Sequence, residues 1–103
     1  MQRVQAEGKR IRTGHLDVRA LASLRAYARV GVVVPLFGHG AVERNRVKRR
    51  LREAVRLRLL PALLPVDLVL KATPAAYRAT MAELADEVAT LLTRIERSVP
   101  TNP

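Results

Sequence analysis

The chain contains no cysteine, which removes disulfide staples and thiolate metal sites and fits a reducing compartment. It has no apolar run of 18 residues and no apolar segment near its start leading to a small-residue cleavage site. Neither a membrane-spanning helix nor a secretory signal is therefore expected, and a soluble, cytoplasmic protein is. Aromatic residues amount to 3%, namely Tyr27, Phe37 and Tyr77. Sheets that read RNA by stacking spread several exposed aromatics over one face, so that mode of recognition is disfavoured. Acidic residues are also scarce: nine Asp and Glu stand against 19 Lys and Arg, a formal net charge of +10.

The shortage of acid is regional. Residues 1–58 hold 15 basic and 4 acidic residues, a surplus of 11, whereas residues 59–103 hold 4 and 5, a deficit of 1. A polyanionic partner is expected on the first part of the chain. Sixteen of the cations are arginine, the others being Lys9, Lys48 and Lys71. A planar guanidinium suits bidentate phosphate contact better than an ammonium does. The length, 103 residues, is that of one domain, and 49% hydrophobic residues supply a core, which separates this chain from a disordered polycation.

Hydropathy patterning predicts the elements. Lys9–Arg12 reads as a short edge strand between Gly8 and Gly14. From His15 the pattern alternates, with Leu16, Val18 and Ala20 on one face and Asp17 and Arg19 on the other. A second strand over about 28–36 is apolar on both parities, which suggests a central position. After the loop Gly38-His39-Gly40, a helix over about 42–60 is expected to stop at Pro61. Val66–Ala72 reads as another strand, and Thr73-Pro74 as an N-cap with proline at the first helical position. A last helix over about 75–97 carries Tyr77, Met81, Leu84, Val88, Leu91, Leu92 and Ile95 as an apolar stripe, with Tyr77 in the core and Glu83, Asp86, Glu87 and Arg94 outside it. The outcome is one α/β domain over residues 1–97, helices packed on a sheet, with residues 98–103 as a tail.

Residues 43–58 carry the chemistry. At 100° per residue, Val47, Leu51, Ala54 and Val55 share one sector, while Asn45, Arg49, Arg52 and Arg56 gather opposite it. Arg46 and Arg50 lie on one flank, Arg44 and Lys48 on the other. A merely solvated helix would place a glutamate four residues before its cations. Here only Glu43 and Glu53 interrupt eight cations, so the repulsion calls for an outside anion. Arginines in the first turn also oppose the helix dipole, and a phosphate bound to the free amide N–H groups there would answer both problems.

No catalytic constellation is present. His15 and His39 lie 24 positions apart without carboxylate or thiolate partners at ligand spacing, so a zinc site is not expected. Asp17 and Asp67 are too isolated to form an acid–base pair. Charge alone equally allows a non-enzymatic ribosomal or RNA-chaperone protein. A DNA-binding helix-turn-helix is disfavoured, since the basic helix is followed by prolines and a strand, and no DNA partner is expected.

The stretch Ala41-Val42-Glu43-Arg44-Asn45-Arg46-Val47-Lys48-Arg49-Arg50-Leu51-Arg52-Glu53 resembles the RNR signature of the bacterial ribonuclease P protein component. Arg29-Val30-Gly31, Asp67-Leu68-Val69 and Pro74 fit the same family, and the resemblance covers about residues 8–97. It implies a ribosomal-protein-like α/β sandwich (α+β), an about four-stranded sheet with a left-handed βαβ crossover and two main helices. It further implies an endoribonuclease holoenzyme whose RNA subunit performs the hydrolysis with Mg2+, removing the 5′ leader of precursor tRNA. The polypeptide itself would contribute no catalytic and no metal-binding residue. By the same resemblance, Arg44, Asn45, Arg46, Lys48, Arg49, Arg50 and Arg52 contact the catalytic RNA, and Arg56 extends the ridge.

The chain also departs from the family pattern. Relatives usually open with a basic helix bearing a phenylalanine of the leader cleft, whereas residues 1–7 hold no aromatic, so that helix is expected to be missing. Pro35-Leu36-Phe37 stands where many relatives carry serine and two basic residues, and Thr73 where many carry arginine. Arg12, His15, Phe37 and His39 are the candidates for the leader cleft.

Overall fold

The computed structural model describes residues 4, 8–24, 26–62 and 65–98. The expectations about an opening helix and a tail fall largely on residues 1–7 and 99–103, of which only Val4 is among those described.

Among the described residues there are four strands: β1 (Lys9–Arg12), β2 (Leu16–Ala22), β3 (Arg29–Val33) and β4 (Val66–Ala72). The long α-helices described with them are α1 (Ala41–Ala54) and α2 (Met81–Ser98). The sheet order is β1-β2-β4-β3, with β2 antiparallel to β1 and β4, and β3 parallel to β4. The connection β3–α1–β4 therefore joins two adjacent parallel strands and lays the basic helix across the sheet.

The alternation read in β2 is realised: Leu16, Val18 and Ala20 are fully buried beneath the helices. They pair with Ala72, Leu70 and Leu68 of β4, which face the same way. From the helical layer Val47, Leu51, Ala54, Val55 and Leu59 join them, together with Leu84, Val88, Leu91 and Ile95.

Three expectations are corrected. β3 lies at the edge of the sheet, not its centre. The face pattern of a strand reports what lies above and below it, not how many strands flank it. Val30 and Val32 turn toward the helices beside Leu68 and Leu70, while Gly31 and Val33 face the opposite side beside Val69 and Lys71. The basic helix does not stop cleanly at Pro61 either. After Ala54 it widens into a π turn, Val55–Leu59, and tightens into a 3-10 turn, Leu60–Ala62, that accommodates a proline with no N–H to donate.

The last helix is two pieces. Pro74–Arg78 forms a 3-10 turn, Ala79 is extended, and α2 begins at Met81. Thr73 occupies the N-cap position of the 3-10 turn without capping it through its side chain, and its hydroxyl is buried with no partner among the described residues. The working cap lies at Thr80. Glu83 N–H donates to Thr80 Oγ1 at 3.1 Å, and Thr80 N–H donates to Glu83 Oε1 at 3.1 Å. This reciprocal pair restarts the helix.

Thr80→Ala is expected to cost about 1 kcal/mol, read as a lower urea midpoint at unchanged slope. The Thr80 N–H, then its hydroxyl, hold the Glu83 carboxyl below its ordinary value. The folded state thus favours the ionised form. That contribution is complete above the unfolded-state value and fades as pH falls through the lower folded-state one.

Candidate RNA interface

Helix α1 separates apolar from cationic residues as its periodicity predicts. Val47, Leu51, Ala54 and Val55 are buried, whereas Asn45, Arg46, Arg49, Arg52 and Arg56 are exposed and Arg44, Lys48 and Arg50 half-buried. The nominated side chains then divide by what they touch. Asn45, Arg46, Lys48, Arg49 and Arg52 make no hydrogen bond or ion pair among the described residues. Arg44 and Arg50 lean back onto the domain. Arg44 Nε donates to the Val34 carbonyl at 2.8 Å, and Arg50 donates to the Ala79 carbonyl at 3.3 Å. Arg56 is paired with Glu53 on the helix surface, which holds that carboxyl below its ordinary range. The unengaged core of the ridge is thus Arg46, Lys48, Arg49 and Arg52.

The first turn already holds an anion. Glu43 Oε1 accepts from Gly40 N–H at 3.4 Å, and Glu43 Oε2 lies 2.7 Å from His39 Nδ1. The His39 contact first, and the Gly40 N–H second, hold the Glu43 carboxyl below its usual value. A phosphate expected at those amides would have to displace this carboxylate.

The four leader-cleft candidates are not brought together. Arg12 lies on β1 opposite Asp17, on the sheet face turned away from the helices. His15 sits at the turn before β2, where Glu87 of α2 accepts from its backbone N–H at 2.8 Å and lies 2.7 Å from its Nδ1. Phe37 and His39 precede α1 and meet Tyr77. Each histidine therefore has a carboxylate neighbour that the sequence reading did not assign. Glu87 is 72 positions from His15, and Glu43 stands one helical turn beyond His39. Tyr77 is not the head of the α2 stripe. It is half-buried in the 3-10 turn, and its hydroxyl donates to the Pro35 carbonyl at 2.6 Å.

The sheet face turned away from α1 and α2 is a second basic surface, and most of its cations went unnominated. Register places Arg10, Arg12, Arg19, Arg29 and Lys71 there with Asp17 and Asp67. Arg10 and Asp17 form a two-bonded ion pair at 3.0 and 2.8 Å, which holds the Asp17 carboxyl below its usual value. Arg29 pairs likewise with the buried Asp67 at 3.0 and 2.8 Å. Asp17, Arg19, Val33, Val69 and Lys71 line a cavity of about 250 Å3. The polar parity of β2 was the available signal for this face. Among the described residues, no three His, Asp or Glu side chains are grouped to hold a metal ion, and no helix is long and apolar enough to cross a membrane.

A sequence model of the ribonuclease P family matches residues 1–96. The ribonuclease P protein component of Syntrophobacter fumaroxidans is 38% identical over 88 residues, which span 84% of this chain and 74% of that protein. That of Chloroflexus aurantiacus is 40% identical over 93 residues, 88% of this chain and 68% of that one. The solved structure of the RNase P protein from Thermotoga maritima superposes with a TM-score of 0.79 at 26% identity, covering 90% of this chain and 88% of that one. With the arginine ridge, the mixed four-stranded sheet and these relatives in agreement, the chain belongs to the ribonuclease P protein family.

Proposed function

We propose that this chain is the protein subunit of a cytoplasmic ribonuclease P and binds the catalytic RNA and the 5′ leader of precursor tRNA. The family's role is tRNA 5′ processing, and its members work with RNA. The observation that carries the reading is the exposed group Arg46, Arg49 and Arg52, which makes no hydrogen bond or ion pair among the described residues. Guanidinium groups on a rigid helix, seated on a buried apolar keel, present donors at fixed spacing to a ribose-phosphate backbone. Binding there lowers the repulsion between subunit and substrate, both polyanions, and positions one against the other.

The protein's own side chains do not fit a magnesium site at the ridge. Mg2+ takes oxygen ligands, the ridge offers N–H donors, and Glu43 and Glu53 are engaged by His39 with Gly40 and by Arg56. In this reading Mg2+ belongs to the RNA, as does the hydrolytic step. In the same reading the leader runs over the sheet face turned away from α1 and α2, which carries five cations and two paired carboxylates.

The purified chain, mixed with its cognate RNA subunit and precursor tRNA at low Mg2+, is expected to raise 5′ cleavage above that of RNA alone. No gain would remove the reading. Co-purification with ribosomal RNA in place of one structured catalytic RNA would favour a ribosomal or chaperone protein.

A further inference from the structure

The loop before α1 carries a feature that phosphate binding does not use. His39 lies flat on Tyr77, ring centroids 3.9 Å apart and planes 6° from parallel. Phe37 meets the same Tyr77 edge-on, at 6.3 Å and 84°. Two of the rings are fixed from separate directions. Tyr77 is tied through its hydroxyl to the Pro35 carbonyl, and His39 through Nδ1 to Glu43. The turn itself is closed by His39 N–H donating to the Leu36 carbonyl at 2.8 Å.

An ordinary aromatic cluster would bury its rings, yet these stay open. The His39 side chain is 37% exposed and Phe37 is 45% exposed. Phe37 also has φ 48, in the left-handed region that a bulky residue seldom occupies. Strain of this kind gathers at ligand sites, where surrounding contacts maintain it. Arg46 and Arg50 line a cavity of about 100 Å3 together with Tyr77 and Glu43. Held rings beside guanidinium groups are what an unpaired nucleotide requires: a surface for its base and donors for its phosphate.

We propose that Phe37 and His39, backed by Tyr77, form a stacking site for one unpaired RNA base, whose phosphate lies toward Arg46. The site rests on the reading of the chain as an RNA-binding subunit and adds to it a base contact in a loop where the family pattern has basic residues. Stacking accepts any base, since each has a π face, so the site tolerates sequence but demands a single strand.

Short single-stranded RNA probes, each with one 2-aminopurine at a different position, test it with the full chain at low salt. The wild-type chain should bind and quench the fluorescence. Phe37→Ala with His39→Ala should lose the quench and about tenfold in affinity, leaving the salt slope unchanged. Phe37→Tyr with His39→Phe keeps the rings and should restore both, which separates stacking from misfolding. Binding without quench at any position, a double alanine variant that quenches as the wild type does, or a slope that falls with it would overturn the stacking site alone. Failure of the wild-type chain to bind any of the probes would overturn the RNA-binding reading and the site together.

Discussion

Replacing Arg46, Arg49 and Arg52 together by alanine should weaken RNA binding about a hundredfold near physiological salt. Each phosphate contact contributes about 0.7–0.9 to the slope of log K against log salt, so three lost contacts should shallow it by about two to three. The three residues suit this test because they are exposed and make no hydrogen bond or ion pair among the described residues. Their removal subtracts charge without removing a contact that holds the fold. Arg44→Ala and Arg50→Ala would mix the two effects, since those side chains donate to the carbonyls of Val34 and Ala79. Arg56→Ala should change the slope less, because Glu53 already offsets that charge. Filter binding or anisotropy over a range of salt concentrations provides the measurement. A triple variant with the wild-type slope would show that these guanidinium groups do not meet phosphates.

The largest single-residue loss of stability is expected from Leu51→Ala. Leu51 is 0% exposed and lies at the centre of the apolar keel between Val47 and Ala54. Removing its buried carbons loses their transfer free energy and leaves a cavity, together about 2–5 kcal/mol. That is a large share of the roughly 5–15 kcal/mol that holds a domain folded. It should lower the urea midpoint with little change in slope, and the RNA affinity at a temperature where the variant remains folded should fall far less than in the triple arginine variant. A loss under about 1 kcal/mol would mean that the helix is not anchored through this face.

How much of this was legible depends on the range of the interactions involved. β2, β4, the keel of α1 and the stripe of α2 follow from periodicity, because a half-buried element must repeat its apolar residues at its own geometric period. The break at Ala79 and Thr80 was written locally as Thr80-x-x-Glu83, but the continuous apolar spacing from Tyr77 to Ile95 obscured it. The division within the ridge was not legible. Arg50 shares a flank with Arg46 on a helical wheel, and only the position of the Ala79 carbonyl separates them.

By itself, the amino-acid order determined that one helix carries an apolar side and a cationic side, that an acid-poor first half awaits a polyanion, and which family the RNR stretch resembles. These are properties of neighbours along the chain, set by backbone periodicity and local charge. Tertiary structure alone decided that β3 lies at the sheet edge, that five cations from four strands share the face turned away from α1 and α2, that Glu87 meets His15 across 72 positions, and that Phe37, His39 and Tyr77 converge. Each depends on how strands are ordered and how the helical layer lies on them. Strand order is settled by global packing among alternatives that share the same face patterns, so no local pattern encodes it.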